Sequence, residues 1–540
     1  LNREAISEWR LFEKYRFCFA FVLLFILVSF FRFETGHITD DAFITYRSAD
    51  NLLKGYGLVF NPGEKVLATT TPFYSIVIAG FILFGMPPWY ASLVLDCFLV
   101  TGMIAFLYLF SRQIGDRVWG LFTVLLLFAN PYSLLPVGGM ETGLFNLCVF
   151  GSLFFCRLKK KRLAVMLALL AVFTRPEGVL LLLIVVPALV WDFKNRRPAE
   201  DAFAVGSILA ISILLYILIL TSYYGSIIPQ SVWAKRAVTH SGNPHDLFYK
   251  WFFRTQFFTF GRLNLLGFLE WIGIFLMIVH YRPLRSVALF FILYLGFMKL
   301  GRAPLFLWYL TPLYPIQIMA ICLSVTFFSR KLISLSDWIF QRCKGCKTQK
   351  RPLVSQKPAV VISLCVLLLF IFGSNYLYNS LRIHFWILYN EKPIVGCKRY
   401  EAAGRWIREH SRKRDIVATP EIGYIGYFSG RYIFDPMGIA SPEAVQDYGL
   451  SSVYDWAIRK DARYVVHPYQ KSQYTPLPPE FVKRYGIART YFWKNESTVV
   501  FRRHSPALLE KTLQEPDLEA GIYPEKYPDH IIRRSSLIDH

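Results

Sequence analysis

The sequence predicts an α-helical polytopic membrane protein that carries a small α/β domain on the outer side of the bilayer. Three observations predict it. Of 540 residues, 54% are hydrophobic and only 18% are charged, and the mean hydropathy is +0.37, which excludes an ordinary cytosolic enzyme. The apolar residues gather in blocks close to the roughly 20 that a helix needs to cross a hydrocarbon layer about 30 Å thick. The formal net charge of +23 (60 Lys and Arg against 37 Asp and Glu) sits at the ends of those blocks, where it reports membrane orientation and not nucleic-acid binding.

Taken in order, about eleven blocks qualify as spans: 17–33, 89–111, 118–136, 141–157, 163–174, 178–192, 202–221, 263–281, 286–300, 305–328 and 358–378. The stretch Pro72 to Gly85, bounded by Pro72 and by Pro87-Pro88, is too short to cross and reads as a helix lying at the outer interface. Each loop that this scheme puts in the cytoplasm is basic: Arg10, Lys14 and Arg16, then Arg112 and Arg117, 157–162, Lys194 to Arg197, Arg282 and Arg285, and 329–357. A multi-pass plasma (inner) membrane protein with a cytoplasmic N-terminus and an outer C-terminus follows. Residues 1–378 form the transmembrane domain, with the first outer loop at 34–88, and 379–508 form the extracytoplasmic domain, followed by a polar tail at 509–540. The outer domain is expected to hold a helix at 400–410, strands at 415–419, 463–467 and 498–502, and a Gly-rich turn at 423–430. Nine Cys, mostly inside apolar runs, read as buried apolar side chains. No cleavable signal peptide is recognisable at the start, and no internal repeat of the kind seen in many secondary transporters is found.

Four motifs carry candidate chemistry. The first outer loop begins with His37 to Arg47, in which Asp40 and Asp41 stand just beyond a span. There a carboxylate tuned by partial burial can take a proton from a sugar hydroxyl while its neighbour holds a cation or a second hydroxyl, or the pair simply caps a helix. Glu141 lies in Gly139-Met140-Glu141-Thr142 at an outer tip. Arg175 and Glu177, in Thr174-Arg175-Pro176-Glu177-Gly178, follow only about a dozen apolar residues, an arm of roughly 18 Å that leaves both deep in the membrane. They either line a cavity or pair to cap a hairpin. Arg302, followed by Trp308 and Tyr309, suits a phosphate head group on a lipid tail, or else is one snorkelling Arg in an aromatic belt.

Weaker signals are set aside. Loop 222–262 interleaves Lys235, Arg236, Lys250, Arg254 and Arg262 with aromatics and reads as an interfacial helix touching lipid phosphates. Cys343 and Cys346 have half a zinc-ribbon spacing without a second half, so no metal is assigned to them. Asn495 heads a common glycosylation sequon.

On these motifs the chain resembles the GT-C superfamily of integral-membrane glycosyltransferases. The stretch Asp40-Asp41-Ala42-Phe43-Ile44-Thr45-Tyr46-Arg47, with Gly55 to Phe60 and Asn61-Pro62-Gly63-Glu64, is similar to the first loop of the branch that includes the mycobacterial terminal β-(1→2)-arabinofuranosyltransferase. Thr71 to Tyr74, Gly139 to Thr142, Thr174 to Gly178 and Trp308-Tyr309 are similar too, and the likeness runs to about residue 330. The branch commonly continues its Asn-Pro-Gly-Glu with Gly-Tyr-Thr, where this chain has Val66 to Thr70.

The resemblance implies a GT-C fold and inverting transfer of a sugar from a polyprenyl-phosphate donor to a cell-envelope glycan or glycolipid acceptor on the outer face. It implies Asp40 as the general base, with Asp41 positioning substrate or a cation, Mg or Mn if one is used. Arg47, Arg175 and Arg302 are then candidates for the donor phosphate, Trp308 and Tyr309 for its lipid, and Glu141, Glu177 and Tyr46 for sugar. Arabinofuranose is the leading sugar over hexoses. The rivals are a lipid or solute transporter gated by Arg175 and Glu177, and a scaffold that retains the fold.

Overall fold

The computed structural model describes residues 18–33, 38–129, 138–193, 199–240, 258–259, 262–263, 265–300, 307–343, 362–363, 366, 394–447, 451–470, 477–493 and 496–504. Arg302, Cys346, Asn495, the basic-aromatic segment 248–254, almost all of the expected span 358–378 and the tail 509–540 lie outside the described residues.

The helices in chain order begin with α1 (Cys18–Phe33), α2 (Asp40–Leu53), α3 (Pro72–Leu83), α4 (Pro88–Ile114), α5 (Arg117–Ala129), α6 (Thr142–Arg157) and α7 (Lys161–Thr174). They continue with α8 (Val179–Phe193), α9 (Ala199–Tyr224), α10 (Gln230–His240), α11 (Leu265–Val279), α12 (Arg285–Leu300) and α13 (Leu313–Cys343). Two-residue strands β1 (Phe258–Thr259) and β2 (Arg262–Leu263) pair antiparallel before α11. Among the described residues, four helical stretches are long and apolar enough to cross a membrane: Pro88–Ile114, Phe203–Tyr224, Arg282–Leu300 and Leu313–Ser336. Shorter apolar helices of 10–17 residues, among them Cys18–Phe33, Thr142–Arg157 and Gly267–Val279, occupy other expected spans, and the protein is a membrane protein.

The chain divides into two compact units. The first comprises Leu1–His37, Ser92–Tyr216 and Pro244–Lys392. Its core is built from Phe145, Phe150, Phe290, Phe291 and Met319, with the Trp119 indole donating to the Met319 carbonyl at 2.9 Å. Gly273 lets α11 lie directly against α13, since a Cβ there would stand 2.0 Å from the Ala320 carbonyl oxygen. The break between α7 and α8 has a local cause. Pro176 disfavours helical backbone at the preceding residue, and Arg175 is extended (φ −149°, ψ 142°). A 3-10 turn, Pro176–Gly178, then leads into α8.

The second unit comprises Ile38–Ala91, Ile217–Asn243 and Pro393–His540, so the first outer loop belongs with the C-terminal domain. That domain adds α14 (Ile394–His410), β3 (Ile416–Ala418), α15 (Ile422–Ser429), β4 (Tyr432–Phe434), α16 (Val453–Arg459), β5 (Tyr464–Gln470), α17 (Pro479–Arg484), β6 (Tyr485–Trp493) and β7 (Glu496–Arg503). The sheet order is β4-β3-β5-β7-β6, parallel across β4-β3-β5 and antiparallel across β5-β7-β6. Strands β4 and β6 were not expected from the sequence, and the expected Gly-rich turn 423–430 is the helix α15. Its glycines do not break it, because Gly423 and Gly426 serve close approach and Gly430, at φ +61°, ends the helix in the left-handed region.

Candidate active site

Asp40 and Asp41 open α2, whose own N-cap position, Thr39, makes no side-chain cap. Asp40 instead caps a different helix. Its Oδ2 accepts the Gly423 N–H at 2.9 Å and its Oδ1 the Tyr424 N–H at 2.8 Å, at the start of α15. Burial pushes the Asp40 carboxyl up to about 6; the two amides oppose this, while the charges of Asp41 and Asp435 add to it. Burial also raises Asp41, opposed by the Lys235 ammonium on α10. Among the described residues the Asp41 carboxylate accepts no hydrogen bond. The N-terminus of α10 is anchored through Gln230, which donates to the carbonyls of Leu67 (2.9 Å) and Gly438 (3.1 Å).

Helical spacing separates the two aspartates. Asp40, Phe43 and Arg47 fall on one face of α2 and all meet α15: Phe43 packs on Tyr424 with ring centroids 3.9 Å apart, and Arg47 donates to the Gly426 carbonyl. Asp41 and Thr45 lie on the adjoining face, where the Thr45 hydroxyl stands 3.5 Å from that of Thr69, itself 3.2 Å from that of Thr71.

Two first-loop expectations are corrected. Arg47 is buried and donates to the carbonyls of Phe60 (2.7 Å), Arg431 (2.6 Å) and Gly426 and to Asn61 Oδ1. Its guanidinium locks the first loop to the C-terminal domain and is not free to hold a phosphate. Tyr46 is fully buried, edge-on to Phe43, and belongs to the core rather than to a sugar surface.

In the first unit, Arg175 brings together two motifs that lie 34 residues apart in sequence. Its Nη1 reaches Glu141 at 3.3 Å, while Nε and Nη2 reach Glu177 at 3.3 and 2.9 Å. All three are buried. The guanidinium carbon lies 5.1 Å from the Tyr309 ring centroid and 5.6 Å from that of Phe145. Trp308 is half-buried beside Tyr309. Two carboxylates on one guanidinium leave no net positive charge, so the cluster suits sugar hydroxyls better than an anion. Around it the Thr142 hydroxyl, the Asn146 amide oxygen and the Tyr294 hydroxyl are buried without a hydrogen-bond partner among the described residues. These are further groups for a polyhydroxylated ligand, and sequence reasoning missed them because neutral polar residues in a span carry little signal.

It also missed two buried charged groups inside expected spans. Arg32 of α1 pairs with Asp96 of α4 at 2.5 Å, and Glu270 of α11 accepts from the Gln317 amide at 3.1 Å. Charge within an apolar block was the available signal. No group of three or more His, Cys, Asp or Glu that could hold a metal ion occurs among the described residues.

Residues 392–506 match a family described as a domain of unknown function (DUF8728). No curated protein matches the sequence. Among solved structures the chain is similar to the archaeal oligosaccharyltransferase AglB from Archaeoglobus fulgidus in complex with an inhibitory peptide and a dolichol-phosphate, at 14% identity and TM-score 0.51 over 90% of this chain and 74% of that one. An Archaeoglobus fulgidus oligosaccharyltransferase tethered with an acceptor peptide gives 12% identity and TM-score 0.50 over 90% of this chain and 74% of that one. ArnT from Cupriavidus metallidurans bound to undecaprenyl phosphate gives 12% and 0.49 over 89% and 97%. The AglB likeness shows that this chain shares the fold of that enzyme.

Proposed function

We propose that this protein is a membrane glycosyltransferase that moves a sugar from a polyprenyl-phosphate donor to a hydroxyl of a cell-envelope glycan or glycolipid, with inversion, on the outer face of the membrane. The observation that carries this reading is the Asp40–Asp41 pair at the start of α2, in which one carboxylate is fixed by backbone amides and the other is left without a hydrogen bond beside a lysine. A carboxylate in that position can accept a hydroxyl proton as the oxygen attacks an anomeric carbon. The fold supports the reading, since AglB shares it and was solved with a dolichol-phosphate.

The leaving group is already an anionic phosphate, so no strong acid is required, but its growing charge needs a cation. Lys235, acting on Asp41, is our candidate; from the sequence, Arg302 is another. We also propose that Glu141, Arg175 and Glu177 bind sugar hydroxyls and that Trp308 and Tyr309 border a lipid. Arabinofuranose is the leading sugar.

The test uses purified protein in nanodiscs with polyprenyl-phosphate arabinofuranose, mannose and glucose, following donor consumption by mass spectrometry. Consumption of one donor, abolished in the Asp40→Asn/Asp41→Asn double variant, is the expected result. Consumption of none overturns the reading.

A further inference from the structure

We infer that the adjacent aspartates divide the work: Asp41 takes the proton of the acceptor hydroxyl, and Asp40 is a positioning residue, gripped by the backbone amides of Gly423 and Tyr424 so that the C-terminal domain assembles the base. This rests on the glycosyltransferase reading and deepens it.

Three observations carry it. First, both Asp40 oxygens already accept amide hydrogen bonds, at 2.9 and 2.8 Å, from the first turn of α15. Protonating Asp40 would weaken two charge-assisted bonds, whereas protonating Asp41 breaks none. Second, the contact is built for close approach. A Cβ at Gly423 would stand 1.9 Å from the Asp40 carbonyl oxygen and 2.7 Å from its Oδ2, so only glycine allows α15 to seat there. The Phe43–Tyr424 ring contact and the Arg47–Gly426 hydrogen bond hold the same face of α2 one and two turns further on. Third, Asp41 lies on the adjoining face with Thr45, towards the buried Thr69 and Thr71 hydroxyls and under the influence of Lys235.

The step balances as follows. The acceptor O–H bond breaks and its proton passes to an Asp41 oxygen. The acceptor oxygen forms its bond to the anomeric carbon, the bond from that carbon to the phosphate oxygen breaks with its electron pair staying on the phosphate, and Asp41 returns the proton to solvent.

The experiment compares full-length wild type, Asp40→Ala, Asp41→Ala and Gly423→Ala in nanodiscs, using the donor the wild type consumes, with and without added formate as a diffusible carboxylate. Amide hydrogen exchange over 422–429 is followed in parallel. Asp41→Ala is expected to lose about 10²–10⁴-fold in kcat, to be partly restored by formate, and to leave amide exchange unchanged. Asp40→Ala and Gly423→Ala are expected to speed exchange at residues 423 and 424 and to lower kcat with KM little changed, without rescue. Formate rescue of Asp40→Ala in place of Asp41→Ala overturns the division of roles, and unchanged exchange in Asp40→Ala overturns the anchor. If the wild type consumes no donor, the glycosyltransferase reading falls and Asp41's role with it, while exchange still decides the anchor.

Discussion

Arg175 and Glu177 form a two-pronged ion pair across the single residue Pro176, with N···O distances of 3.3 and 2.9 Å. The extended backbone that Pro176 imposes on Arg175 turns its guanidinium back over the 3-10 turn, and Glu141 completes the group from α6.

Removing the guanidinium leaves two buried carboxylates facing each other. Arg175→Ala is therefore expected to destabilise the protein by about 3–5 kcal/mol, read as a large fall in the detergent unfolding temperature. Glu141→Gln keeps the Glu177 pair, so it is expected to unfold near the wild-type temperature while kcat/KM falls roughly 10-fold, the value of a charged hydrogen bond to a sugar hydroxyl. An unchanged kcat/KM would remove Glu141 from the sugar site.

Arg47 ties α2 to Phe60, Gly426 and Arg431 through main-chain carbonyls. Arg47→Lys cannot reproduce the planar fork and leaves several of those acceptors buried and unpaired. A loss of about 3 kcal/mol or more is expected, with proteolysis of the outer domain as the readout. Were Arg47 a phosphate ligand instead, Arg47→Lys would raise the donor KM and leave proteolysis unchanged.

The buried Arg32–Asp96 pair should behave as a unit. Asp96→Leu alone is expected to cost about 3–5 kcal/mol, because it takes the carboxylate away from a buried guanidinium, whereas Arg32→Leu/Asp96→Leu should recover most of that. Additive losses in a double-mutant cycle on unfolding temperature would show that the two do not interact. Gly143 belongs to the same packing: a Cβ there would lie 2.8 Å from Asp96 Oδ1.

In the C-terminal domain, burial pushes His467 down to about 4. A histidine with a lowered folded value supports folding above its unfolded value of about 6.5, and that support is lost as pH falls towards 4. Wild type should therefore lose stability relative to His467→Gln between pH 6.5 and 4, measured as the difference in unfolding temperature. A difference independent of pH would mean that the imidazole is not held neutral. Asp40 and Asp435, each raised to about 6, act in the opposite sense in both proteins and cancel from the comparison.

The candidate motifs stand out in the sequence because each is local: adjacent aspartates after an apolar block, or an Arg and a Glu around a proline inside one. The helix at 72–85 was legible from its short apolar run between prolines, and the helix at 400–410 and three strands of the C-terminal domain from their residue patterns. Strand β4, only Tyr432–Phe434, is too short to carry a period, and α15 was hidden because glycine usually signals a turn. Arg47 was misread since an arginine in an outer loop is by default a solvated cation, and only burial against four oxygen acceptors shows otherwise.

Composition and hydropathy thus determine by themselves that this chain lives in a membrane and carries a C-terminal domain beyond its apolar blocks, because transfer from water to lipid is a property of each segment alone. Which aspartate is gripped and which is left open, and which arginine is a lock, were decided only by tertiary structure. Those outcomes depend on backbone amides and carbonyls at residues 423, 424, 426 and 431, and such groups are the same in every sequence until folding aims them at one particular side chain.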